Sequence, residues 1–188
     1  MRPSALHTVG HSNRSLGELV HLLQAREVTT LADIRTVPRS RHAAQFNREE
    51  LEQVLPRVGI CYNHIKALGG FRRGLGGQSP NTAWRNGNFR GFADYMLTGE
   101  FEEGLEELLH LAGESATAIM CAEAVPWRCH RSLIADALTI RGVEVTHILG
   151  PDRCQRHRLT PFAEVRGRLI TYPQGAETGR EEDIQRAS

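Results

Sequence analysis

The sequence predicts an α/β fold with an open, mostly parallel twisted sheet of about five strands and helices on both faces. The first observation behind this prediction is a set of short apolar runs rich in β-branched residues, which predict strands at 6–9, 30–34, 60–65, 117–121 and 143–149. The second is that segments with helical periodicity lie between these runs, as in parallel strands joined by crossover helices. Right-handed crossovers then give a three-layer, Rossmann-like arrangement.

Five helices are predicted, at 15–26, 48–58, 89–97, 101–111 and 130–141. The first begins after Ser15, and Glu18 three positions later completes the spacing of a capping box. The last follows Pro126, which prevents an earlier helix start, and it ends at Gly142. Its apolar residues recur on one face, as expected for a helix that packs on a sheet.

Two stretches depart from this alternation of strands and helices. Residues 69–88, GGFRRGLGGQSPNTAWRNGN, form a glycine-rich loop that is longer than a plain connection. Loops of this kind serve as lids or binding surfaces, or they are disordered inserts. Residues 173–188 are polar and aperiodic, which predicts a mobile tail after a single α/β domain at 1–172.

The composition of the 188 residues is ordinary for a soluble protein, with 40% apolar and 24% charged residues. The formal net charge of +1 gives no global attraction to nucleic acid or to a membrane surface, so any basic site must be local. The first ten residues, MRPSALHTVG, lack the apolar core of a signal peptide, and no stretch is apolar for long enough to span a bilayer. We therefore expect a cytoplasmic protein whose four cysteines are reduced thiols.

Polar residues follow four of the predicted strands at the points where the strands end. In an open parallel sheet the ligand crevice lies outside these carboxyl ends, so the residues there are candidates for one shared site. They are His11 and Ser12 after the first strand, Asp33, Arg35, Ser40, Arg41 and Asn47 after the second, Lys66, Gly69 and Gly70 after the third, and Cys121, Glu123, Cys129, His130 and Arg131 after the fourth. The sequence thus predicts that four strand ends meet at one polar rim.

The residue types in this rim suggest two kinds of role. The candidates for catalysis are Cys121, Glu123, His11, His130 and Asp33, because thiols, carboxylates and imidazoles act as nucleophiles or transfer protons. The candidates for binding an anion or the substrate are Ser12, Arg35, Ser40, Arg41, Asn47, Lys66, Gly69, Gly70, Cys129 and Arg131.

The segment Cys129-His130-Arg131 is predicted to occupy the first turn of the last helix. Free amides and the positive end of the helix dipole favour an anion there, and Arg131 adds a bidentate partner for phosphate or carboxylate. The same field favours the thiolate form of Cys121 or Cys129. Glu123 is close enough in sequence to act as a general base, or to hold an arginine or the histidine in place.

Each of these roles has a structural alternative. Cys121 at a strand end is also typical of a small buried hydrophobic residue. His11 and His130 are also suited to capping backbone groups, and Asp33 with Arg35 also fits a structural ion pair.

Metal binding is the minor alternative at this rim. The spacing between Cys121 and Cys129 does not match the motifs of structural zinc sites, so the sequence predicts no metal and no cofactor. A metal site here would have to be assembled from Cys121, Cys129, His130 and the more distant His64.

Five segments carry a resemblance to a known family: TVGHSNRSLGELVHLL, LADIRTVPRSR followed by FN, ALGGFRR, WRNGNFRGFADYM and MCAEAVPWRCHRSLIADAL. Together, over about 6–149, the chain resembles the domain-of-unknown-function 488 family of small bacterial and archaeal proteins. The resemblance implies an α/β domain with the motif residues gathered on one edge, and it implies no established reaction. It places those motif residues on His11, Ser12, Asp33, Arg35, Pro38, Ser40, Arg41, Phe46, Asn47, Leu68, Gly69, Gly70, Cys121, Glu123, Pro126, Cys129, His130 and Arg131.

The preferred functional hypothesis is an enzyme whose substrate carries a phosphate, such as a nucleotide or a nucleic acid. The arginines would position the phosphate, and the thiols, Glu123 or the histidines would react. Phe46, Phe71 and Trp84 are candidates for stacking on a base. The alternative is a noncatalytic module that binds a nucleic acid or a phosphorylated ligand through the same arginines. No membrane partner is expected, and the sequence does not define an oligomeric state.

Overall fold

The computed structural model describes residues 5–175 and shows an open, six-stranded, mostly parallel sheet. Its strands are β1 (Ala5–Gly10), β2 (Thr30–Asp33), β3 (Cys61–His64), β4 (Thr117–Cys121), β5 (Glu144–Ile148) and β6 (Cys154–Arg156). They lie in the order β3, β2, β4, β1, β5, β6, and of these six only β6 is antiparallel to its neighbour. The predicted fold class is confirmed.

Helices cover both faces of the sheet, as predicted. The α-helices in the described part of the chain are α1 (Leu16–Gln24), α2 (Arg48–Val54), α3 (Gly87–Tyr95), α4 (Gly99–Glu114) and α5 (Arg131–Thr139). α1 and α2 pack on one face through a core that includes Leu31 and Met120. α3, α4 and α5 pack on the other face, where Ala32 and Ile119 contribute to the core.

Local sequence signals explain where the first two helices begin and end. The capping box of α1 is present, since Ser15 Oγ accepts from the amide of Glu18 and the Glu18 carboxylate accepts from the amide of Ser15. α2 ends before its predicted boundary, because Pro56 has no amide to continue the α-helical hydrogen bonds. The chain continues as a 3₁₀ helix over Leu55–Val58 and stops at Gly59, which has a φ of 79°.

The structure also contains strands that the sequence pattern did not predict. β6 is exposed at all three positions, so it lacks the alternation of apolar and polar residues that identifies a half-buried strand. A separate hairpin, β7 (Glu164–Arg166) and β8 (Leu169–Thr171), turns at Gly167, which has a φ of 64°. Short exposed strands of this kind leave almost no hydrophobic signal.

A buried carboxylate joins the segment around these added strands to the rest of the structure. Asp136 in α5 is fully buried and accepts hydrogen bonds from His157 Nε2, from the amide and hydroxyl of Thr160, and from the hydroxyl of Tyr172. The residues after β6 are therefore part of the packed structure as far as Tyr172. The sequence predicts a mobile tail over 173–188. At its start, the amide of Gln174 donates to Thr82 Oγ1. Residues 176–188 lie outside the described part.

The glycine-rich loop is fastened to α3 by another buried carboxylate. Asp94 accepts from the amide of Leu75 at 2.8 Å, from Ser79 Oγ at 2.5 Å and from Asn81 Nδ2 at 2.8 Å. These bonds tie a loop with little regular structure to α3. Across residues 5–175, no helix combines the length and the apolar character that a bilayer span needs.

The connections after β1 and β4 open a crevice at the carboxyl edge. These two strands are neighbours, with Gly10 opposite Cys121. The chain leaves β1 towards α1 on one face, whereas it leaves β4 towards α5 on the other. Neighbouring strands whose connections run to opposite faces form the usual ligand crevice of an open α/β sheet.

We predict that the stability of the fold falls below pH 6.5 because of His147. Thr8 Oγ1 and His157 Nδ1 contact its two ring nitrogens at 2.8 and 3.0 Å. Burial, with the charges of His157 and Arg131, lowers the pKa of His147 to about 4. The unfolded chain therefore takes up this proton first, and the contribution to stability is lost as the pH falls from about 6.5 to about 4, by up to about 1.4 kcal/mol per pH unit.

Urea unfolding of His147→Gln and of the unchanged protein at pH 7, 6 and 5 measures this contribution. The variant should show a shallower loss of unfolding free energy with falling pH. His110→Gln is the control, because His110 is 74% exposed on α4. Identical pH slopes for His147→Gln and the unchanged protein would contradict the assignment.

Candidate functional site

A pocket of about 310 Å³ lies at the carboxyl ends of β2 and β4. Three segments form its walls: the turn after β2, the two ends of the glycine-rich loop, and the segment between β4 and α5. The side chains that matter chemically are Arg35, Phe71, Asn86, Asn88, Phe89, Cys121, Glu123, Arg128, Cys129 and His130. The pocket therefore joins thiols, an imidazole, a carboxylate and guanidinium groups in one volume.

Two thiols and an imidazole form the buried end of this pocket. His130 Nδ1 lies 3.9 Å from Cys121 Sγ and 3.7 Å from Cys129 Sγ. The two cysteines are 8% and 3% exposed, so the sulfur atoms are largely withdrawn from bulk water. We call Cys121, Cys129 and His130 the thiol–imidazole cluster.

The imidazole of His130 is fixed by backbone groups from two other segments. Its Nε2 lies 3.2 Å from the carbonyl oxygen of Ile34 and 3.1 Å from that of Leu68. A carbonyl oxygen only accepts hydrogen bonds, so Nε2 must carry the proton. In the neutral ring Nδ1 then keeps its lone pair, and this is the atom that faces both sulfur atoms.

The glycines of the LGG motif make room for this ring. A Cβ atom on Gly70 would lie 2.5 Å from His130 Nδ1, which is closer than real Cβ contacts come. A Cβ atom on Gly69 would lie 2.8 Å from the backbone of Thr36. The close approach of backbone to ring explains why this turn needs residues without side chains.

The two thiols of the cluster affect each other's ionisation. The hydrogen bond from Cys129 lowers the pKa of Cys121 well below its ordinary value, and His130 acts in the same direction. The same bond, together with burial, raises the pKa of Cys129. The two pKa values thus move in opposite directions, and Cys121 is the thiol that ionises first. The nearby charge of Arg131 favours the ionised form of the pair.

Asp33 and Arg35 form a buried ion pair beneath the pocket. Asp33 Oδ2 lies 2.5 Å from Arg35 Nη2, and it also accepts from the hydroxyl of Tyr62 at 2.8 Å. Burial alone lowers the pKa of Arg35, but the hydrogen bonds and charge of Asp33 raise it above its usual value. Nη2 of Arg35 also donates to the carbonyl of Phe46, and Arg35 is among the pocket-lining residues although it is only 6% exposed.

His11 supports this ion pair and is not among the pocket-lining residues. Its Nδ1 pairs with the carbonyl of Ser12 at 2.9 Å, and its ring stacks on Phe46 with 4.3 Å between the centroids. Its Nε2 lies 3.4 Å from Arg35 Nη1, so the neutral ring accepts from the guanidinium. Burial lowers the pKa of His11, and the charge of Arg35 lowers it further.

Arg131 lies behind the pocket wall. Its side chain is 1% exposed, and Nη2 donates to the carbonyls of Glu123 and Ala124 at 2.7 and 3.1 Å. α5 begins at Arg131, so Cys129 and His130 precede the helix and the prediction that they lie in its first turn was wrong. The reason is a 3₁₀ turn at Pro126–Arg128, after which Cys129 has an extended backbone.

Gly10 completes the support of this segment. A Cβ atom at Gly10 would lie 1.8 Å from the carbonyl oxygen of Glu123, so the segment after β4 packs directly on the end of β1. The amides of His11 and Ser12 donate to the carbonyls of Cys121 and Ala122 and continue the pairing of the strands. The orientation of Glu123 thus depends on a glycine far away in the sequence.

The remaining predicted site residues organise the loop after β2 or lie outside the pocket. The amide of Ser40 donates to Asn47 Oδ1 at 2.7 Å, and Ser40 Oγ accepts from the amides of His42 and Ala43. Arg41 and Lys66 are exposed, and neither is among the pocket-lining residues. His64 Nε2 pairs with the carbonyl of Arg35, so His64 is not part of the cluster.

Sequence reasoning missed part of the opposite wall. Asn86, Asn88 and Phe89 come from the start of α3, and Arg128 comes from the 3₁₀ turn before the cluster. Asn86 Oδ1 caps α3, which fixes this wall relative to the helix. In the sequence, these residues were marked only by two of the segments that resemble the family, WRNGNFRGFADYM and MCAEAVPWRCHRSLIADAL.

The predicted aromatic residues divide between the pocket and the core. Phe71 is 78% exposed and lines the pocket, whereas Phe46 is fully buried. Trp84 packs against Phe89 and Tyr172, with ring centroids 4.8 and 5.5 Å away. Phe71 and Phe89 are therefore the aromatic residues that line the pocket.

The fold and the site define an α/β protein with a pocket at the carboxyl ends of its parallel strands, in which thiol, imidazole, carboxylate and guanidinium groups lie among apolar side chains. The chain belongs to the family named Domain of unknown function DUF488, whose model matches residues 15–138. This match confirms the resemblance over a shorter span than the sequence motifs indicate, and it includes every residue of the thiol–imidazole cluster. No curated protein and no solved structure matches the chain.

We predict that Asp33→Asn lowers the free energy of unfolding by about 3–5 kcal/mol, because it leaves the charge of Arg35 buried without a counter-ion. Glu52→Gln is the matched control. The Arg48–Glu52 pair has the same chemistry, but its side chains are 51% and 44% exposed, so the control should change stability by at most about 1 kcal/mol. Urea unfolding at pH 7 compares the two variants, and equal effects would contradict a stabilising role for the buried pair.

Proposed function

We propose that the protein is an enzyme that acts on a phosphate-bearing substrate, a nucleotide or part of a nucleic acid, in this pocket. The observation that carries the proposal is the combination of groups in one volume. The thiol–imidazole cluster and Glu123 supply reactive groups, and Arg128 supplies positive charge. Binding modules that only hold an anion have no need of two buried thiols aligned on one imidazole.

Arg128 is the best candidate for the group that binds the phosphate. It is exposed on the pocket wall, and it has no carboxylate ion pair among the described residues. The charge of Arg35, in contrast, is largely neutralised by Asp33. A free guanidinium binds phosphate through charge-assisted, bidentate hydrogen bonds.

The wall opposite the cluster supports a planar, polar group such as a nucleobase. Phe71 and Phe89 present aromatic rings to the pocket, and Asn86 and Asn88 present amide groups. Aromatic rings stack on bases of any sequence, and an amide side chain both donates and accepts hydrogen bonds. The volume of about 310 Å³ lies at the lower end of the range for small-molecule sites.

We predict that nucleoside monophosphates bind this pocket more tightly than the corresponding nucleosides, and that Arg128→Ala removes most of the difference. A charge-assisted hydrogen bond contributes about 1.5–3 kcal/mol, so the variant should bind a monophosphate at least about tenfold more weakly. Calorimetric titration with the four ribonucleoside monophosphates measures this difference. Arg48→Ala is the control, because Arg48 lies on α2 and is not among the pocket-lining residues.

Turnover is tested on the nucleotides that bind, by mass spectrometry of the reaction mixture. Glu123→Gln should keep the affinity within about threefold and lose the reaction, because an amide cannot accept a proton as a carboxylate does. Equal affinity for nucleosides and monophosphates would overturn the proposal. Tight binding with no change in any nucleotide or oligonucleotide would favour the noncatalytic binding module.

A further inference from the structure

We propose that Cys121, Cys129 and His130 form a zinc site whose fourth coordination position opens into the pocket. Their ligand atoms, two Sγ and one Nδ1, all lie within 4.8 Å of one another. Zinc bonds of about 2.3 Å to sulfur and about 2.0–2.1 Å to nitrogen, at a tetrahedral angle, place sulfur and nitrogen about 3.5–3.6 Å apart and the two sulfur atoms about 3.8 Å apart. The observed Sγ–Nδ1 separations of 3.7 and 3.9 Å need a contraction of a few tenths of an ångström, and the two sulfur atoms, at most 4.8 Å apart, need at most about 1 Å.

A metal ion satisfies all three ligand atoms, whereas a proton does not. Nδ1 of the neutral ring has one lone pair, so it accepts a well-directed hydrogen bond from one thiol and leaves the other sulfur without one. Both sulfur atoms nevertheless lie at nearly equal distances from Nδ1. A cation between the three atoms accounts for this symmetry.

The orientation of His130 is that of a metal ligand. Histidine ligands commonly donate the second ring N–H to a backbone carbonyl, which fixes the tautomer and aims the other nitrogen at the metal. Here the carbonyls of Ile34 and Leu68 hold Nε2, and Nδ1 faces the sulfur atoms. Gly70 keeps the space beside Nδ1 free of a side chain.

The number of protein ligands points to an open site. Structural zinc sites usually have four protein ligands, whereas catalytic sites have three and leave one position for water or a substrate atom. Within residues 5–175, no fourth histidine, cysteine or carboxylate joins this group. All three ligand residues line the pocket, so the fourth position faces the volume where a substrate would bind.

The ligand types select zinc over the hard cations. Two thiolates and an imidazole suit zinc, whereas magnesium and calcium take oxygen ligands. The sequence could not reveal the site, because the eight-residue step from Cys121 to Cys129 is not a zinc motif. The two cysteines come together only because the chain leaves β4, passes through the 3₁₀ turn and returns to the sheet just before α5.

This inference does not rest on the proposed function, because metal binding is measured without a substrate. Protein purified without an affinity tag should contain one zinc ion per chain by elemental analysis. After the metal is removed with a chelator, titration of zinc against a chromophoric competitor should show one tight site. Cys121→Ser and Cys129→Ser should each weaken zinc binding by more than about 100-fold, beyond the loss typical of outer-shell partners.

The exposed cysteines provide the matched control. Cys61→Ser combined with Cys154→Ser should keep one zinc ion at unchanged affinity, since neither residue contacts the cluster. The proposal would be overturned if the Cys61→Ser/Cys154→Ser double variant lost its zinc, or if Cys121→Ser and Cys129→Ser both kept it. Metal-free protein with intact thiols, or a mass lower by two hydrogens that maps to a Cys121–Cys129 disulfide, would also overturn it.

Cobalt substitution of the unchanged protein tests the site without a mutation. The expected spectrum has thiolate-to-cobalt charge-transfer bands and the d–d bands of a tetrahedral ion, and the d–d bands should shift when azide is added to the open position. A cobalt spectrum without thiolate bands, or one that azide leaves unchanged, contradicts the ligand set or the open position. Zinc binding without nucleotide binding would support the zinc site and reject the proposed function. Nucleotide binding and turnover without zinc binding would support the proposed function and reject the zinc site.

Discussion

The site depends on the position of one imidazole ring. His130 is held by carbonyl oxygens that belong to the end of β2 and to the turn after β3, and it faces a thiol at the end of β4 and another at the start of α5. Three segments that are distant in the sequence, the end of β2, the turn after β3 and the connection from β4 to α5, therefore meet at this ring. Since both carbonyls can only accept, they set the tautomer of the ring as well as its position.

The packing around the site serves the same constraint. Gly70 lets the backbone approach the ring, and Gly10 lets the segment after β4 pack on the end of β1. Arg131 is buried behind that segment and donates to two of its carbonyls. The buried pair of Asp33 and Arg35 fixes the turn after β2 from below. Much of the polar rim thus consists of residues that shape the pocket, and a smaller part faces its interior.

The sequence predicted the sheet well because buried strands and amphipathic helices have periodic patterns. It also predicted that residues after β2 and β4 share an edge, since parallel strands end together. The sequence could not predict how deeply each polar side chain is buried. Arg131 and His11 have the same residue types as groups that bind anions, yet they are buried and bonded to their neighbours. Nor could it predict the wall from α3, because a long loop has no periodicity that reveals its path.

The protonation of His130 is the most direct test of this account. A long-range ¹⁵N–¹H NMR spectrum of the labelled protein at pH 7, assigned with His130→Gln, reports which ring nitrogen carries the proton. The account predicts that the ring, when zinc-bound or neutral, carries its proton on Nε2, and that the Nδ1 signal moves when zinc is added or removed. A proton on Nδ1 alone would contradict it, because the ring would then present a donor to the thiols and a lone pair to two carbonyl oxygens.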